Sequence, residues 1–463
     1  MLRLYDTRHR QIEPVVPPGA RSMRMYTCGP TVYRHAHVGN LRSYLLSDLI
    51  RRVCERNRVR VVVCRNITDV GHLVDDAEID PGGEDKILAQ ARAEGRTALE
   101  IARFYEDAFL ADTAALNIRP PEYSPRATET IDPMVEMIAK LISKGHAYAV
   151  PDGSVFFDAA SFPGYGEISG NRLDRLRPGH RVEGVDPRKR FHADWALWKP
   201  SDREMAWETP WGRGFPGWHI ECSAMSLRFL GEHVDVHTGG IDLRFPHHED
   251  ERAQSDAAAG HEVVGHWVHG EHLLFDGRKM AKSTGNVVLL SDVTAAGLDP
   301  LAVRLALLEH RHRRQMNLTW DTLRAADQTL RRWRSRVAGW AESPSRPMPV
   351  ERVSRIEAAF DDDLDTPLAL RLLRELELDD SATPGSRFEA FLHLDHILGL
   401  DLSADIGRSS GLPPGAAELL EQRLRAREAG DWAASDRLRD GLAGLGVRVT
   451  DTPEGQTWSD LRG

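Results

Sequence analysis

The sequence predicts an α/β chain: a parallel-sheet domain split by an insertion, then a mainly α-helical bundle and a small C-terminal module. Three observations carry this expectation. Two β-patterned runs, Met23–Cys28 and the valine-rich Arg58–Cys64, flank a segment with helical spacing. Between about 126 and 205 the periodicity changes to short strands with Gly/Pro turns, as in Gly164-Tyr-Gly-Glu-Ile-Ser-Gly170. Beyond the Pro-rich Ser343-Pro-Ser-Arg-Pro-Met-Pro349, helical patterns dominate.

The first strand ends at Gly29-Pro30, and the turn His37-Val-Gly-Asn40 opens a helix with apolar residues at 41, 45, 46, 49 and 50. Val59, Val61, Val62 and Val63 then read as a buried strand ending at Asn66-Ile-Thr-Asp69. A parallel, Rossmann-like βαβ unit is the economical model, with its ligand crevice at the carboxyl ends of the strands. Cys28, His37 and Thr68 fall at that end. A helical run follows near 86–116, and the sheet is expected to resume at Val234–His237, before Gly239-Gly240-Ile-Asp242. The expected divisions are 1–125 and 206–268 for the two halves of the sheet domain and 126–205 for the insertion. They continue with 269–342 for a lysine-bearing loop and a basic helical region, 350–405 for the bundle, and 412–463 for the terminal module.

Composition bounds the class. With 463 residues and 41% hydrophobic content the chain can bury large cores, and its length suggests roughly three domains. No window approaches a membrane span and the first residues lack a signal-peptide core, so the cytoplasm is the expected compartment. Four cysteines are too few for a disulfide scaffold. A formal charge of −10 argues against a protein that coats nucleic acid non-specifically. Only seven of the 60 cationic side chains are lysines, which singles out Lys279 and Lys282 as positions where a compact ammonium is wanted.

Three stretches carry chemistry. In Phe245-Pro-His-His-Glu-Asp-Glu251, His247 and Glu251 lie four apart and share a helix face, which is half of a metal site. Cys28 and Cys222, the latter in Gly217-Trp-His-Ile-Glu-Cys222, can supply the other half, and His248 and Glu249 are near alternatives. His37 and Asn40 stand at a strand-to-helix turn, where an imidazole and free amides suit a phosphate, while Gly39 lets a flat base approach the backbone. The loop Lys279-Met-Ala-Lys-Ser283 can wrap two ammonium groups around a triphosphate.

Together these stretches resemble the class I aminoacyl-tRNA synthetases, and within them the cysteinyl-tRNA synthetase family. His37-Val-Gly-Asn40 matches a HIGH-type signature and Lys279-Met-Ala-Lys-Ser283 a KMSKS loop. Thr27-Cys-Gly-Pro-Thr-Val-Tyr33, Gly217–Met225, Phe245–Glu251, Asn66–Val70, Asp361–Pro367 and Asp451–Trp458 extend the likeness end to end. The resemblance implies one zinc ion held by Cys28, Cys222, His247 and Glu251, and ATP with Mg²⁺ bound near Gly39, Asn40 and Lys282. It implies His37, Lys279 and Lys282 as the catalytic groups, with Thr68, Trp218, Asp242 and His237 around the amino acid. L-cysteine, ATP and cysteine tRNA are the implied partners, with transfer to the tRNA 3′ end. The bundle and terminal module would then contact tRNA, Arg423, Arg425, Arg427, Trp432 and Trp458 being the candidate contacts. A monomer is expected. Arg34, Thr130 and Ala281 depart from the family's common wording. The rival readings are a mycothiol-type ligase passing cysteine to an amino sugar, and a non-catalytic tRNA-binding paralog.

Overall fold

The computed structural model describes residues 1–70, 86–176, 186–202, 204–280, 286–408, 414–452 and 455–460. A hairpin of β1 (Arg3–Asp6) and β2 (Gln11–Pro14) leads into β3 (Ser22–Thr27), α1 (Val38–Arg56) and β4 (Arg60–Arg65). Helix α1 runs longer than its apolar spacing alone suggests because His37 caps it: its ring accepts from the Asn40 amide while Asn40 accepts from the His37 amide. The 86–116 run is two helices, α2 (Lys86–Glu94) and α3 (Ala98–Ala115). Gly95, at φ +64°, ends the first, and a Thr97–Glu100 capping box starts the second.

Helix α4 (Ile131–Ser143) enters the insertion, whose antiparallel sheet comprises β5 (Ala147–Ala149), β6 (Val155–Phe157), β7 (Trp195–Pro200) and β8 (Gly214–Pro216). Then α5 (Trp218–Leu230), β9 (Val234–Gly240), α6 (His247–Ala259) and β10 (Val264–Gly270) complete the main layer. The strands β10-β9-β3-β4 form one parallel sheet, with Tyr26 facing His237 and Cys64, and His237 facing Trp267.

Alternation along these strands separates two cores. Met23, Met25, Val61, Val63, Val236 and Val268 pack with α1 and the helices that follow the sheet. Tyr26, Cys64 and Trp267 pack with α4, α5, α6 and the insertion. Beyond β10, β11 (Leu273–Phe275) and β12 (Arg278–Lys279) precede α7 (Leu290–Ala295), α8 (Pro300–Leu308), β13 (Met316–Leu318) and α9 (Trp320–Ala341). The helices α10 (Val350–Asp361), α11 (Thr366–Glu377) and α12 (Pro384–Leu398) extend the first core. A small separate core joins α13 (Ala416–Glu428), α14 (Trp432–Gly444) and the hairpin β14 (Val447–Thr452) with β15 (Gly455–Asp460).

The basic stretch between 311 and 336 differs from its sequence appearance. Arg311 pairs with Asp365, Arg313 with Asp363, Arg331 with Asp327, Arg334 with Asp299, and Arg332 and Arg336 share Glu377. Apart from Arg331, whose partner lies one turn back on α9, these arginines tie α9 and the segment after α8 to other parts of the chain. In the terminal module Arg423 is fully buried and bridges Asp451, so it is removed from the set of RNA-facing cations; Arg427 pairs with the same carboxylate and lies 5.4 Å from the exposed ring of Trp432.

Candidate functional site

Cys28 follows β3 directly and its amide donates to the Thr238 carbonyl at 3.2 Å, which registers it against β9. Cys222 sits on the buried face of α5, while His247 opens α6 and Glu251 lies one turn on. The ligand atoms of Cys28, Cys222, His247 and Glu251 all fall within 4.8 Å of one another. His247 Nε2 is 2.9 Å from Glu251 Oε1, so the two do share a face, and the Cys28 thiol donates to the same oxygen at 3.3 Å.

A second quartet overlaps the first: Cys28, His237, His248 and Glu251 also lie within 4.8 Å. His248 therefore belongs to the cluster. Glu249 does not, because its carboxylate turns away to accept from the Ser169 amide at 2.8 Å. The first quartet offers two sulfurs to a soft divalent cation where the second offers one.

Burial sets the electrostatics. It holds the Cys28 thiol well above the usual thiol range and raises Glu251 well above the carboxylate range. A hydrogen bond with Cys28, helped by His247, pulls Cys222 down to about 7. Burial pushes His237 and His248 well below the usual imidazole value, and His269 to about 3. Glu251 has only histidines as ion-pair partners among the described residues. Thiolate and carboxylate donors buried together without Lys or Arg are the environment a divalent cation stabilises. The donor set fits zinc.

Outer hydrogen bonds aim these rings. His219 Nδ1 contacts His247 Nδ1 at 2.8 Å and its Nε2 is 3.3 Å from Asp250, leaving His247 Nε2 toward the cluster. His248 Nδ1 meets His269 Nε2 at 2.8 Å, and Thr7 Oγ1 closes that chain on His269 at 2.7 Å. Sequence spacing gives no hint of Thr7.

Above the cluster opens a cleft of about 410 Å³ lined by Cys28, His37, Gly39, Asn40, Trp218, Asp242 and Lys279, among others. Trp218 also packs on His247, ring centres 4.2 Å apart. Thr68 is buried beside the cleft, donating to Glu221 at 3.0 Å and accepting from Asn66. His237 is buried behind Cys28, outside the cleft lining, with Nε2 3.4 Å from Cys28 Sγ. Lys282, with Ala281, lies outside the described residues.

At the cleft wall His37 is driven down to about 4 by burial and by Arg34 nearby, so the ring is neutral at pH 7. Because its Nδ1 accepts from Asn40, the proton resides on Nε2. A Cβ on Gly39 would stand 2.7 Å from Met280 Cε and 3.0 Å from the His37 ring. Glycine here lets the His37 turn meet the Lys279 hairpin through Met280, and Gly39 itself lines the cleft. Arg34 is exposed on the cleft rim, whereas Thr130 is buried and bonds to the Arg126 and Ala127 carbonyls, a local structural role.

One residue absent from the sequence expectations organises these parts. Arg42, buried on α1, donates to the carbonyls of Glu271, His272, Arg311, His312 and Arg314 at 2.6–3.4 Å. It clamps the helix carrying His37 to the segment leading toward Lys279. The available signal was an arginine among the apolar positions of an amphipathic helix.

Known proteins resemble the chain over nearly its whole length. Residues 14–328 match the family described as tRNA synthetases class I (C) catalytic domain, and residues 409–458 match the cysteinyl-tRNA ligase anticodon binding domain. Among curated relatives, a cysteine–tRNA ligase of Salinibacter ruber is 40% identical, the match covering 98% of each chain. Those of Opitutus terrae and Thermus thermophilus are each 42% identical, with 98% and 99% of each chain covered. A Mycobacterium tuberculosis methionyl-tRNA synthetase bound by methionyl-adenylate shares the fold at 16% identity, TM-score 0.56, covering 89% of this chain and 96% of that one. A leucyl enzyme of Agrobacterium radiobacter, in a ternary complex with tRNA, does so at 12% identity, TM-score 0.59, covering 83% and 84%. The chain belongs to the cysteine–tRNA ligase family of class I aminoacyl-tRNA synthetases.

Proposed function

We propose that the chain activates L-cysteine with ATP and passes the cysteinyl group to the 3′ end of cysteine tRNA, with a zinc ion held by Cys28, Cys222, His247 and Glu251 as the element that selects the thiol. The gathering of those four donors beneath a cleft that also holds His37 and Lys279 carries this reading. Zinc supplies an added ligand position for sulfur, and a hydroxyl of the same size is a far poorer ligand there. A cavity sensing size alone separates substrates by only about 10–200-fold per methylene-sized difference.

The protein's own groups do the rest. Asp242, on the cleft lining, holds the substrate ammonium, and Trp218 walls the pocket and packs on the His247 ring. Neutral His37 donates from Nε2 to a phosphate oxygen. Lys279 stabilises the charge that develops as the cysteine carboxylate attacks the ATP α-phosphorus and pyrophosphate leaves. Lys282 and the ATP-borne Mg²⁺ share that task. The tRNA ribose hydroxyl then attacks the adenylate carbonyl and releases AMP, and no covalent protein nucleophile is required. The enzyme is read as monomeric and cytoplasmic; no helix among the described residues is long and apolar enough to cross a membrane.

The match of residues 409–458 to an anticodon binding domain favours tRNA over an amino-sugar acceptor. Cysteine-dependent ATP/pyrophosphate exchange, followed by charging of cysteine tRNA, is the test, and absence of exchange under zinc-replete, reducing conditions refutes the reading. Cys222→Ser is expected to lower bound zinc and kcat/KM for cysteine together, by roughly 10²-fold or more in the latter. Unchanged zinc with full activity would remove Cys222 from the ligand set.

A further inference from the structure

We propose that the mouth of the cleft carries a docking strip for the single-stranded 3′ terminus of the tRNA, formed by Tyr33, Arg34, His35, Lys86 and Phe104. The inference rests on the tRNA-charging reading. The Arg34 guanidinium lies 5.0 Å from the centre of the Tyr33 ring and the Lys86 ammonium 5.8 Å from the same centre. His35 stands edge-on to Phe104 at 6.0 Å and to Tyr105 at 5.1 Å. Phe104 packs edge-on against Tyr105 at 5.0 Å, with the Arg96 guanidinium 5.0 Å from its ring centre. Tyr105 is buried, with its hydroxyl bonded to Glu94, yet Phe104 remains 44% exposed at the end of this run of rings.

Exposed ring faces interleaved with cations are the chemistry that holds single-stranded nucleic acid: bases stack, and phosphates meet guanidinium and ammonium groups. Arg34 makes no ion pair with a carboxylate among the described residues. Tyr33, Arg34, His35 and Lys86 line the same cleft as His37 and Asp242, so the strip is continuous with the place where the terminal ribose must arrive. It also gives a role to the departure at Arg34: an acidic side chain there would repel a phosphate, and arginine attracts one.

Equilibrium binding of full-length cysteine tRNA and of the same RNA lacking its four 3′-terminal nucleotides tests the strip, with wild-type protein, Arg34→Gln, Phe104→Ala and Phe104→Trp. Phe104→Ala should weaken full-length binding about tenfold, the value of one lost base stack, and Phe104→Trp should restore it. Arg34→Gln should reduce the slope of log affinity against log salt by ~0.7, one single-strand phosphate. Binding of the shortened RNA should be unchanged by all three variants. Equal weakening of both RNAs, or no weakening of either, overturns the strip. Cysteine-dependent exchange by the wild-type protein reports separately on the underlying reading, since it requires no RNA.

Discussion

His247 is held from behind, and that support has a measurable consequence. Its Nδ1 is engaged by His219, which is in turn held by Asp250, so the orientation of Nε2 depends on a ring that is not itself a proposed ligand. Such outer partners typically contribute 10–100-fold to metal affinity. His219→Phe should therefore weaken zinc binding by about that factor in a chelator competition, with the fold retained; unchanged affinity would mean packing alone fixes His247. The His247–Glu251 pair was legible in the sequence because four residues span one helical turn. Cys28 and Cys222 were legible only through the motifs around them, since their separation along the chain encodes no distance. Arg423 was misread for a general reason. An arginine beside other arginines on a helix looks solvated, and the partner that buries it, Asp451, comes from a hairpin beyond the next helix.

Between elements, the decisive contact is the clamp of α1 on the segments after β10 and α8. Arg42 is brought down to about 10 by burial, and its charge is stabilised by five carbonyl oxygens. Lysine keeps the charge but loses the planar fork. Arg42→Lys should shift the Lys279 hairpin relative to His37 and reduce kcat/KM for ATP in the exchange reaction by about 10²-fold, with zinc content unchanged. Loss of zinc in proportion would make the arginine a fold residue only. His312, on one clamped segment, gives a pH prediction. Burial holds it at about 4, below the value near 6.5 of the unfolded chain. The unfolded chain then binds a proton that the folded one does not, so stability falls as pH drops through that window. The effect is about 2 kcal/mol between pH 7 and pH 5. His312→Gln should lose that part of the decline, read from urea midpoints at the two pH values. Element types were readable wherever periodicity was strong, as in β3, α1 and β4. The breaks were less so: Asp363 and Leu364 turn the chain between α10 and α11 at φ +54° and +51°, a region aspartate enters more readily than most residues but leucine rarely.

At the scale of the molecule, arginine has two destinations. Between 311 and 336 it makes ion pairs between separate segments of the chain, which composition cannot distinguish from an RNA-facing surface. At the cleft mouth and around Trp432 it also lies beside rings, although Arg96 and Arg427 keep carboxylate partners there. The cores are divided in the same way. The two large clusters hold no residue beyond Leu402, and the small one is formed by Ala416, Leu420, Leu442 and Val447 with neighbours from the same module. Removing residues 409–463 therefore takes no side chain from either large core and none from the zinc cluster or the cleft. The truncated chain should keep its thermal midpoint and its cysteine-dependent pyrophosphate exchange. Charging is different, because one of two linked binding surfaces on the same tRNA is lost. Linked contacts contribute through effective concentration, so kcat/KM for cysteine tRNA should fall by about 10²-fold while the exchange rate holds. If exchange fell in step with charging, the module would be supporting the catalytic body, and its separate core would not be a separate unit of function.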